Sequence, residues 1–168
     1  AIFEAASGIK WQGIHIKVDG HAEILDGEIK DCVAFGIRIN TSNEVVLQGN
    51  QIHNIHGKYG SGDGMGIWIQ QGSHTILGNQ IYEIKGGYGE ENLDPGGNGG
   101  RAYGIKIEGG SSNIQLNNIM DIKGGYGGYG RLGSVGIAGS AGEKPGDPGS
   151  SGGAGGKGGD AGSGGECG

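Results

Sequence analysis

The sequence predicts an all-β fold in which the chain winds into a solenoid of about five stacked coils. The first observation behind this prediction is a repeated segment, which reads FGIRINTSNEVVLQGNQIHNI from Phe35 to Ile55 and MGIWIQQGSHTILGNQIYEI from Met65 to Ile84. Each copy opens with Gly-Ile-x-Ile and ends with Gly-Asn-Gln-Ile and a further Ile three residues later. Self-similarity at a period of about 20–50 residues is typical of repeat architectures.

The second observation is that weaker copies share columns of apolar residues with these two. The Gly-Ile opening recurs at Gly13, Gly36, Gly66, Gly104 and Gly136. Aligning the copies on these glycines produces aliphatic columns: Ile14, Ile37, Ile67, Ile105 and Ile137; Ile16, Ile39, Ile69 and Ile107; Ile24, Leu47, Ile76 and Ile114; Ile29, Ile52, Ile81 and Ile119; Cys32, Ile55, Ile84 and Ile122. A coil of about 25 residues cannot bury such a face alone, so stacking parallel coils about 4.8 Å apart builds one continuous core.

Alternation with period two assigns a direction to each side chain of the opening strand. Both isoleucines of Gly-Ile-x-Ile point to the same face, which is the core. The residues that precede the glycine share this parity and are expected to point inward as well. These residues are Phe35, Met65, Tyr103 and Val135.

A third repeated position carries asparagine, at Asn50, Asn79 and Asn117. Stacked asparagines can hydrogen-bond to one another and to turn backbone, and asparagine tolerates the left-handed conformation. We expect these three residues to form a structural ladder. The first copy departs from the pattern, because Gly27 replaces the asparagine and Cys32 replaces the column isoleucine.

These motifs resemble the coil repeat of right-handed parallel β-helix proteins, the pectin-lyase-like group. The resemblance covers the chain from about Gly13 to Ile137. It implies a right-handed parallel β-helix, whereas it leaves the function open. That scaffold carries lyases, hydrolases, phage tailspikes, adhesins and purely structural proteins.

The chain divides into three parts. Residues 1–12 are expected to form an N-terminal cap or partial coil, residues 13–138 the coils, and residues 139–168 a glycine-rich tail. Three glycine-rich inserts, residues 56–65, 85–103 and 123–135, follow the closing isoleucine of successive copies, and their tyrosines Tyr59, Tyr88 and Tyr126 correspond. Insertions in solenoids map to loops on one face, so the inserts should lie side by side.

The tail admits two interpretations. Glycine supplies 44 of the 168 residues, and a glycine-rich tail is by default a disordered linker. Alternatively, glycine at two of every three positions permits closely packed polyproline-II-type strands. The segment GGAGGKGGDAGSGG resembles polyglycine-II bundles of some phage tail-fibre adhesins and mycobacterial surface proteins, which implies a layer packed on the inserts near residues 86–100. Strict collagen is excluded because the Gly-X-Y period does not hold and the chain has only 3 prolines.

Net charge, the length of apolar runs and the cysteine count indicate which partners and which cellular location to expect. The formal net charge of −6 argues against a nucleic-acid partner, and no apolar run reaches the ~18 residues of a membrane span. The start at Ala1 fits a processed or truncated product, and we expect an extracellular, cell-surface or virion-surface location. Cys32 is expected to be a buried thiol, while a Cys32–Cys167 bridge and an intermolecular bridge remain alternatives.

One line of outward-facing residues is a candidate carbohydrate-binding site. It consists of His15, Arg38, Trp68 and Lys106. The resemblance places the sugar groove of polysaccharide enzymes on this strand face, where an aromatic ring can stack on a sugar and a cation can pair with a uronate. The simpler interpretation is a solvated strand face, and the five histidines are likewise interpreted as surface residues without a metal site.

An acidic column offers a weak Ca²⁺ candidate. Asp31, Asn54, Glu83 and Asp121 stack in one position of the repeat, where like charges repel. Neighbouring lysines, Lys85 and Lys123, are the simpler relief. Ca²⁺ at Glu83 and Asp121 is the alternative.

These observations favour an extracellular structural or adhesive module that associates with itself end to end, as a fibre subunit or a tail-fibre-like tip. The alternative is a polysaccharide lyase or hydrolase, or a fragment of one, acting on acidic glycans. A lyase needs a base and a cation that stabilises the enolate, and Arg38 and Lys106 are the catalytic candidates for it, with Ca²⁺ as its cofactor. Ice binding has less support, because the chain has only Thr41 and Thr75.

Overall fold

A computed structural model describes residues 2–3, 11–17, 19–93, 95–132 and 165–166. Within these ranges every regular element is a β-strand. The strands are β1 (Ile2–Phe3), β2 (Ile14–Ile16), β3 (Ala22–Leu25), β4 (Glu28–Val33), β5 (Phe35–Asn40), β6 (Val45–Gln48), β7 (Gln51–His56), β8 (Gly64–Gln71), β9 (Thr75–Leu77), β10 (Gln80–Lys85), β11 (Ala102–Ile107), β12 (Asn113–Gln115) and β13 (Asn118–Lys123).

The strands form three parallel sheets, and each sheet collects the equivalent strand of successive copies. The orders are β1-β4-β7-β10-β13, β11-β8-β5-β2 and β12-β9-β6-β3. Every strand pairs with the strand one copy away rather than with its neighbour in sequence. The all-β prediction is confirmed, and the parallel stacking is that of a β-solenoid.

The pairing register reproduces the predicted columns. Ile67 pairs with both Ile37 and Ile105, and Ile81 pairs with both Ile52 and Ile119. The central members of the columns have no exposed surface and belong to one core cluster. Each buried aliphatic side chain of this size contributes about 1.5–3 kcal/mol, so the columns supply the main driving force for winding.

The predicted inward direction of the residue before the glycine was wrong for Phe35. Phe35 and Met65 are buried but lie outside the core cluster of the described residues, and the Phe35 ring contacts the outward Trp68 ring. A Cβ on Gly36 would lie 2.6 Å from Cγ2 of Ile52, so the glycine itself faces the core. Because Gly36 and the next isoleucine both face inward, the alternation breaks here and Phe35 turns outward. Val135 lies outside the described residues.

The left-handed turn position was also misassigned. The positive φ falls on the residue before each asparagine: Gly49 (66°), Gly78 (63°) and Leu116 (55°). Asn50, Asn79 and Asn117 are therefore free to use their side chains as bridges between copies.

Backbone hydrogen bonds join the segments that follow β7, β10 and β13. Gly57 N–H donates to Lys85 O at 2.7 Å, and Gly86 N–H donates to Lys123 O at 2.9 Å. Of the tail, only Gly165 and Glu166 are described, and both bond to this region. The predicted fifth copy at Gly136 and the rest of the tail lie outside the described residues.

Candidate functional site

The four predicted carbohydrate-binding residues lie in one line on the outer face of β2, β5, β8 and β11. Arg38 pairs in register with His15 and with Trp68, and Trp68 pairs with Lys106. Parallel pairing of equivalent positions is what brings them together, since they come from four separate copies. The line therefore exists as predicted, and its chemistry depends on what these side chains already contact.

The Trp68 ring is covered by cations of its own chain. The Arg38 guanidinium carbon lies 4.4 Å from the ring centroid, and Lys106 Nζ lies 5.6 Å from it. Lys106 Nζ is also 5.3 Å from the Tyr103 ring, and Phe35 packs edge-on to Trp68 at 6.1 Å. Cation–π contacts of this kind stabilise the line, and they occupy the ring faces on which a sugar would stack.

The cations of this line are also paired with polar groups. Arg38 Nε donates to Gln70 Oε1 at 2.6 Å, and Lys106 Nζ lies 3.2 Å from Glu108 and 3.9 Å from Asp63. Burial raises the pKa of Glu108, but the hydrogen bond and the charge of Lys106 outweigh it, so this pKa lies below its ordinary value. Nε1 of Trp68 is buried and has no hydrogen-bond partner among the described residues.

His15 stands at the exposed end of the line. Partial burial and then the charges of Arg38 and Lys17 lower its pKa, so the imidazole is neutral at pH 7. Arginine cannot act as a base because its guanidinium stays protonated. The line can accordingly hold an anion, and neutral His15 is the one member that can accept a proton at pH 7.

The asparagine ladder has the geometry that the sequence predicts. Asn79 Oδ1 accepts from the backbone N–H and from Nδ2 of Asn50, at 3.0 and 2.9 Å. Asn117 Oδ1 accepts from the same two groups of Asn79, at 2.9 Å each, and Asn50 Oδ1 accepts from Gly27 N–H at 2.8 Å. Asn50 and Asn79 are completely buried. The ladder is a structural feature that bonds one turn to the next.

The acidic column has a backbone explanation that the sequence analysis missed. All four members have positive φ, at Asp31 (57°), Asn54 (53°), Glu83 (55°) and Asp121 (53°), and the strand pairing skips them. Asp and Asn tolerate this conformation best among residues with a side chain. Their spacing could have revealed a bend, because each stands between two inward-facing positions three residues apart.

The lysine interpretation of this column is confirmed at Asp121. Asp121 lies 2.6 Å from Lys123 Nζ, and Asn54 Nδ2 donates to Asp31. The Lys123 hydrogen bond, more than the nearby charges of Lys123 and Lys85, lowers the pKa of Asp121. No group of three or more potential metal ligands occurs within the described ranges, and the Ca²⁺ alternative at Glu83 and Asp121 remains a hypothesis.

A cysteine and a histidine are both buried in the described part of the chain. Cys32 is a buried free thiol, and burial, followed by the Asp31 charge, raises its pKa to about 12. Cys167 lies outside the described residues.

His74 is only 2% exposed, so the interpretation of all histidines as surface residues was wrong. Its ring accepts from Val45 N–H at 3.2 Å and bonds Gln71 O at 2.7 Å, which replaces backbone pairing at a turn.

Open cavities lie where the inserts leave the strands. One of them, called here the groove, has a volume of about 240 Å³ and is lined by two lysines, two tyrosines and glycine backbone: Lys85, Lys123, Tyr88, Tyr126, Gly86, Gly124 and Gly125. The Tyr88 and Tyr126 rings stack at 5.9 Å with an interplanar angle of 14°. A second cavity of about 380 Å³ lies beside Tyr59 and His56, one copy earlier. The sequence indicated the tyrosine column but not the groove.

The last described copy, formed by β11, β12 and β13 and called here the terminal rung, exposes apolar side chains. The exposed fractions are 47% for Ile107, 37% for Ile114 and 44% for Ile119. Their equivalents one copy earlier are completely buried. The terminal rung thus presents core columns that no described residue covers fully.

Fold and site together define a class, namely all-β proteins built from parallel strands stacked in three sheets. No protein-family model, curated protein or solved structure matches the chain. A search of the described residues for a helix long and apolar enough to cross a membrane found none.

Proposed function

We propose that the chain is an extracellular structural or adhesive module that associates with itself end to end, as a fibre subunit or a tail-fibre-like tip. The observation that carries this proposal is the exposed apolar surface of the terminal rung. Columns that are completely buried in the preceding copy become more than one-third exposed at Ile107, Ile114 and Ile119. A second copy of the chain offers the best cover, because it continues the same columns.

Strand edges support the same arrangement. Strands β11, β12 and β13 are each the last member of their sheet, and β2, β3 and β1 are the first. An unpaired edge presents rows of N–H and C=O groups that favour pairing with another chain. Docking the two ends therefore satisfies backbone groups and buries aliphatic columns together.

The finer features of the fold belong to this proposal. Right-handed winding is expected because crossovers between parallel strands are right-handed in nearly all proteins. About five coils agree with the repeat period. The glycine-rich inserts would add a polyglycine-II-type layer along one side, which stiffens a fibre.

The experiment is sedimentation velocity over a hundredfold range of protein concentration. The purified chain should form larger species as concentration rises, and the double variant Ile107→Glu/Ile114→Glu should sediment as a monomer because charge on the terminal rung opposes burial. Gln80→Glu is the matched control, since it adds a charge at an exposed position of the preceding copy and should leave association unchanged.

A chain that stays monomeric at the highest concentration contradicts end-to-end association. Circular dichroism of each variant must match that of the unmodified chain. This comparison separates loss of association from loss of folding.

A polysaccharide lyase or hydrolase acting on acidic glycans, or a fragment of one, is the second candidate. The line of His15, Arg38, Trp68 and Lys106 favours it, because cations beside an aromatic ring suit a uronate. Lyase activity on polygalacturonate or alginate would produce unsaturated products that absorb in the ultraviolet, and a chelator would abolish it where Ca²⁺ is the cofactor. Absence of product on both substrates would contradict the lyase proposal and favour the structural or adhesive module.

For adhesion to an acidic glycan, the groove beside Tyr88 and Tyr126 is a better surface than the line. The Trp68 faces are already covered by cations of the chain, whereas Tyr88 and Tyr126 are 58% and 73% exposed. Titration with oligogalacturonate separates the two surfaces. Tyr126→Ala should weaken binding through the groove, and Trp68→Ala should weaken binding through the line.

A further inference from the structure

Backbone donors in the glycine-rich inserts follow a period of three. Gly86 N–H donates to Lys123 O at 2.9 Å, and Gly89 N–H donates to Tyr126 O at 2.8 Å. Gly87 N–H, one residue along, donates to Gly62 O on the first insert at 2.8 Å. In a flat sheet successive donors alternate between two sides, so donors that recur every third residue indicate a threefold, polyproline-II-like strand with neighbours on several sides.

Glycine is required at the contact positions of this bundle. A Cβ on Gly86 would overlap the carbonyl of Gly100, and a Cβ on Gly89 would overlap that of Gly97. A Cβ on Gly128 would overlap the carbonyl of Glu90. Since the neighbouring backbone fills the space of a side chain, each contacting strand must present glycine at every third residue.

Gly165, from the tail, already occupies one such position. Its N–H donates to Gly125 O at 2.6 Å, and the next residue, Glu166, accepts from Ala102 N–H at 2.8 Å. A Cβ on Gly165 would overlap Gly100 O, and a Cβ on Gly124 would overlap Gly165 O. The surface between the second and third inserts thus admits a glycine and excludes any other residue at this point.

The sequence before Gly165 has the matching period. Counting back by threes from Gly165, every position is glycine, namely Gly162, Gly159, Gly156 and Gly153. The Gly-X-Y period fails over the tail as a whole but holds over this run. The side chains of the run, such as Lys157 and Asp160, stand between these glycines.

We propose that the surface formed by the third insert and the returning arm of the second, residues 96–101, is a docking site for an extended chain with glycine at every third residue. Its occupant is the tail of this same chain, and Gly162 and Gly159 repeat the contact of Gly165. This inference goes beyond the end-to-end association proposed above, because it concerns the side of the solenoid and needs one copy only.

The length of the third insert limits how far the contact extends. Glu166 bonds to Ala102 at the start of β11, so the proposed contact would begin at the sheets and extend along the insert. At ~3.1 Å per residue, the stretch from Gly124 to Arg131 spans ~22 Å, which accommodates about two further glycine steps. Gly159 and Gly162 fall within this length, while Gly153 falls beyond the end of the insert.

The test is hydrogen exchange in the full-length chain, with the Ala102 amide as reporter. That amide donates to Glu166, so it exchanges faster when the tail leaves. Gly162→Ala should accelerate its exchange by about tenfold or more, because the added methyl group cannot fit against the insert. Gly153→Ala, the matched control past the end of the insert, should change the rate by less than about twofold.

Two results would overturn the proposal. One is an Ala102 exchange rate in Gly162→Ala equal to that of the unmodified chain. The other is equal acceleration in Gly153→Ala and Gly162→Ala. The exchange of Ile76 in the buried part of β9 should be the same in all three proteins, which shows that the sheets remain folded. The exchange test works equally well on a monomeric chain. A negative result would therefore contradict docking of the tail without bearing on end-to-end association.

Discussion

At the scale of single residues, asparagine links each turn to the next through bonds that backbone pairing does not supply. One Oδ1 accepts two hydrogen bonds from the preceding copy, while Nδ2 also donates to a buried carbonyl, as in Asn79 Nδ2 to Leu47 O at 2.9 Å. A buried polar group left unpaired costs about 1–3 kcal/mol. The ladder is therefore a network in which removing one member leaves several groups unsatisfied.

Asn79→Ala is expected to lower the free energy of unfolding by about 2–4 kcal/mol. The change leaves the Asn50 N–H and Nδ2 and the Leu47 carbonyl without their present partners. Urea unfolding followed by circular dichroism measures the loss. Asn113→Ala, on the exposed face of β12, is the control and should cost little, and equal losses would contradict the role of the ladder.

The ion pair between Asp121 and Lys123 predicts a specific acid response. The pKa of Asp121 is below its ordinary value of 3.8, first because of the Lys123 hydrogen bond. A depressed carboxyl pKa stabilises the fold above the unfolded pKa, and this contribution is lost as pH falls through the folded pKa. Lys123→Met should therefore reduce the steepness of the stability loss as pH falls below about 4.

Stability at each pH is measured by urea unfolding of both proteins. Lys58→Met removes an equal charge from the first insert and should leave the acid dependence as it is. Identical pH profiles for Lys123→Met and the unmodified chain would show that the pair contributes nothing.

At the scale of elements, the glycine of each Gly-Ile-x-Ile motif sets the packing distance between two sheets. A Cβ on Gly66 would lie 2.5 Å from Cγ2 of Ile81 and 2.6 Å from Gly104 O. The glycine of β8 thus permits close contact with β10 and with the next copy of its own sheet. The broken alternation at this position, which turns Phe35 outward onto Trp68, follows from the same contact.

Gly66→Ala is expected to destabilise the protein by about 1–3 kcal/mol, because the methyl group overpacks a site without free space. Thermal unfolding should show a lower midpoint. Gly20→Ala is the matched control, since no atom lies within 4 Å of the added Cβ, and its midpoint should stay the same or rise. Tolerance of Gly66→Ala would mean that β8 and β10 can move apart.

At the scale of the whole molecule, each copy contacts only its neighbours, so stability should fall towards the ends. The side chains of β12 and β13 are mostly exposed, whereas β9 and β10 keep buried positions. In a solenoid the energy is approximately a sum of copies and nearest-neighbour interfaces. Opening from an end breaks one interface, whereas opening in the centre breaks two.

Amide hydrogen exchange should therefore be faster in β12 and β13 than in β9 and β10 at low protein concentration. Raising the concentration should protect the terminal rung if copies associate end to end, and it should leave the central strands unchanged. Uniform protection along the sheets at low concentration would contradict fraying from this end.

The columns, the parallel register and the asparagine ladder could be predicted because they depend on residue identity and period alone. Each column has one residue in each copy, and the columns follow the same order in every copy. Only one pairing register therefore stacks each column isoleucine on its equivalent in the next copy. The line of Arg38, Trp68 and Lys106 follows from that register, since equivalent positions must stack. The inserts were expected on one face because they all leave after the same closing isoleucine.

The sequence by itself thus determined which residues stack, and it did so through hydrophobic burial, which the pattern of residues records directly. Only the tertiary structure decided which way Phe35 turns, why the acidic column bends, that His74 is buried and that Trp68 is already covered by cations. These features depend on local backbone dihedrals and on partners from other copies. A residue's identity does not record its φ angle or the atoms that a distant copy brings to it.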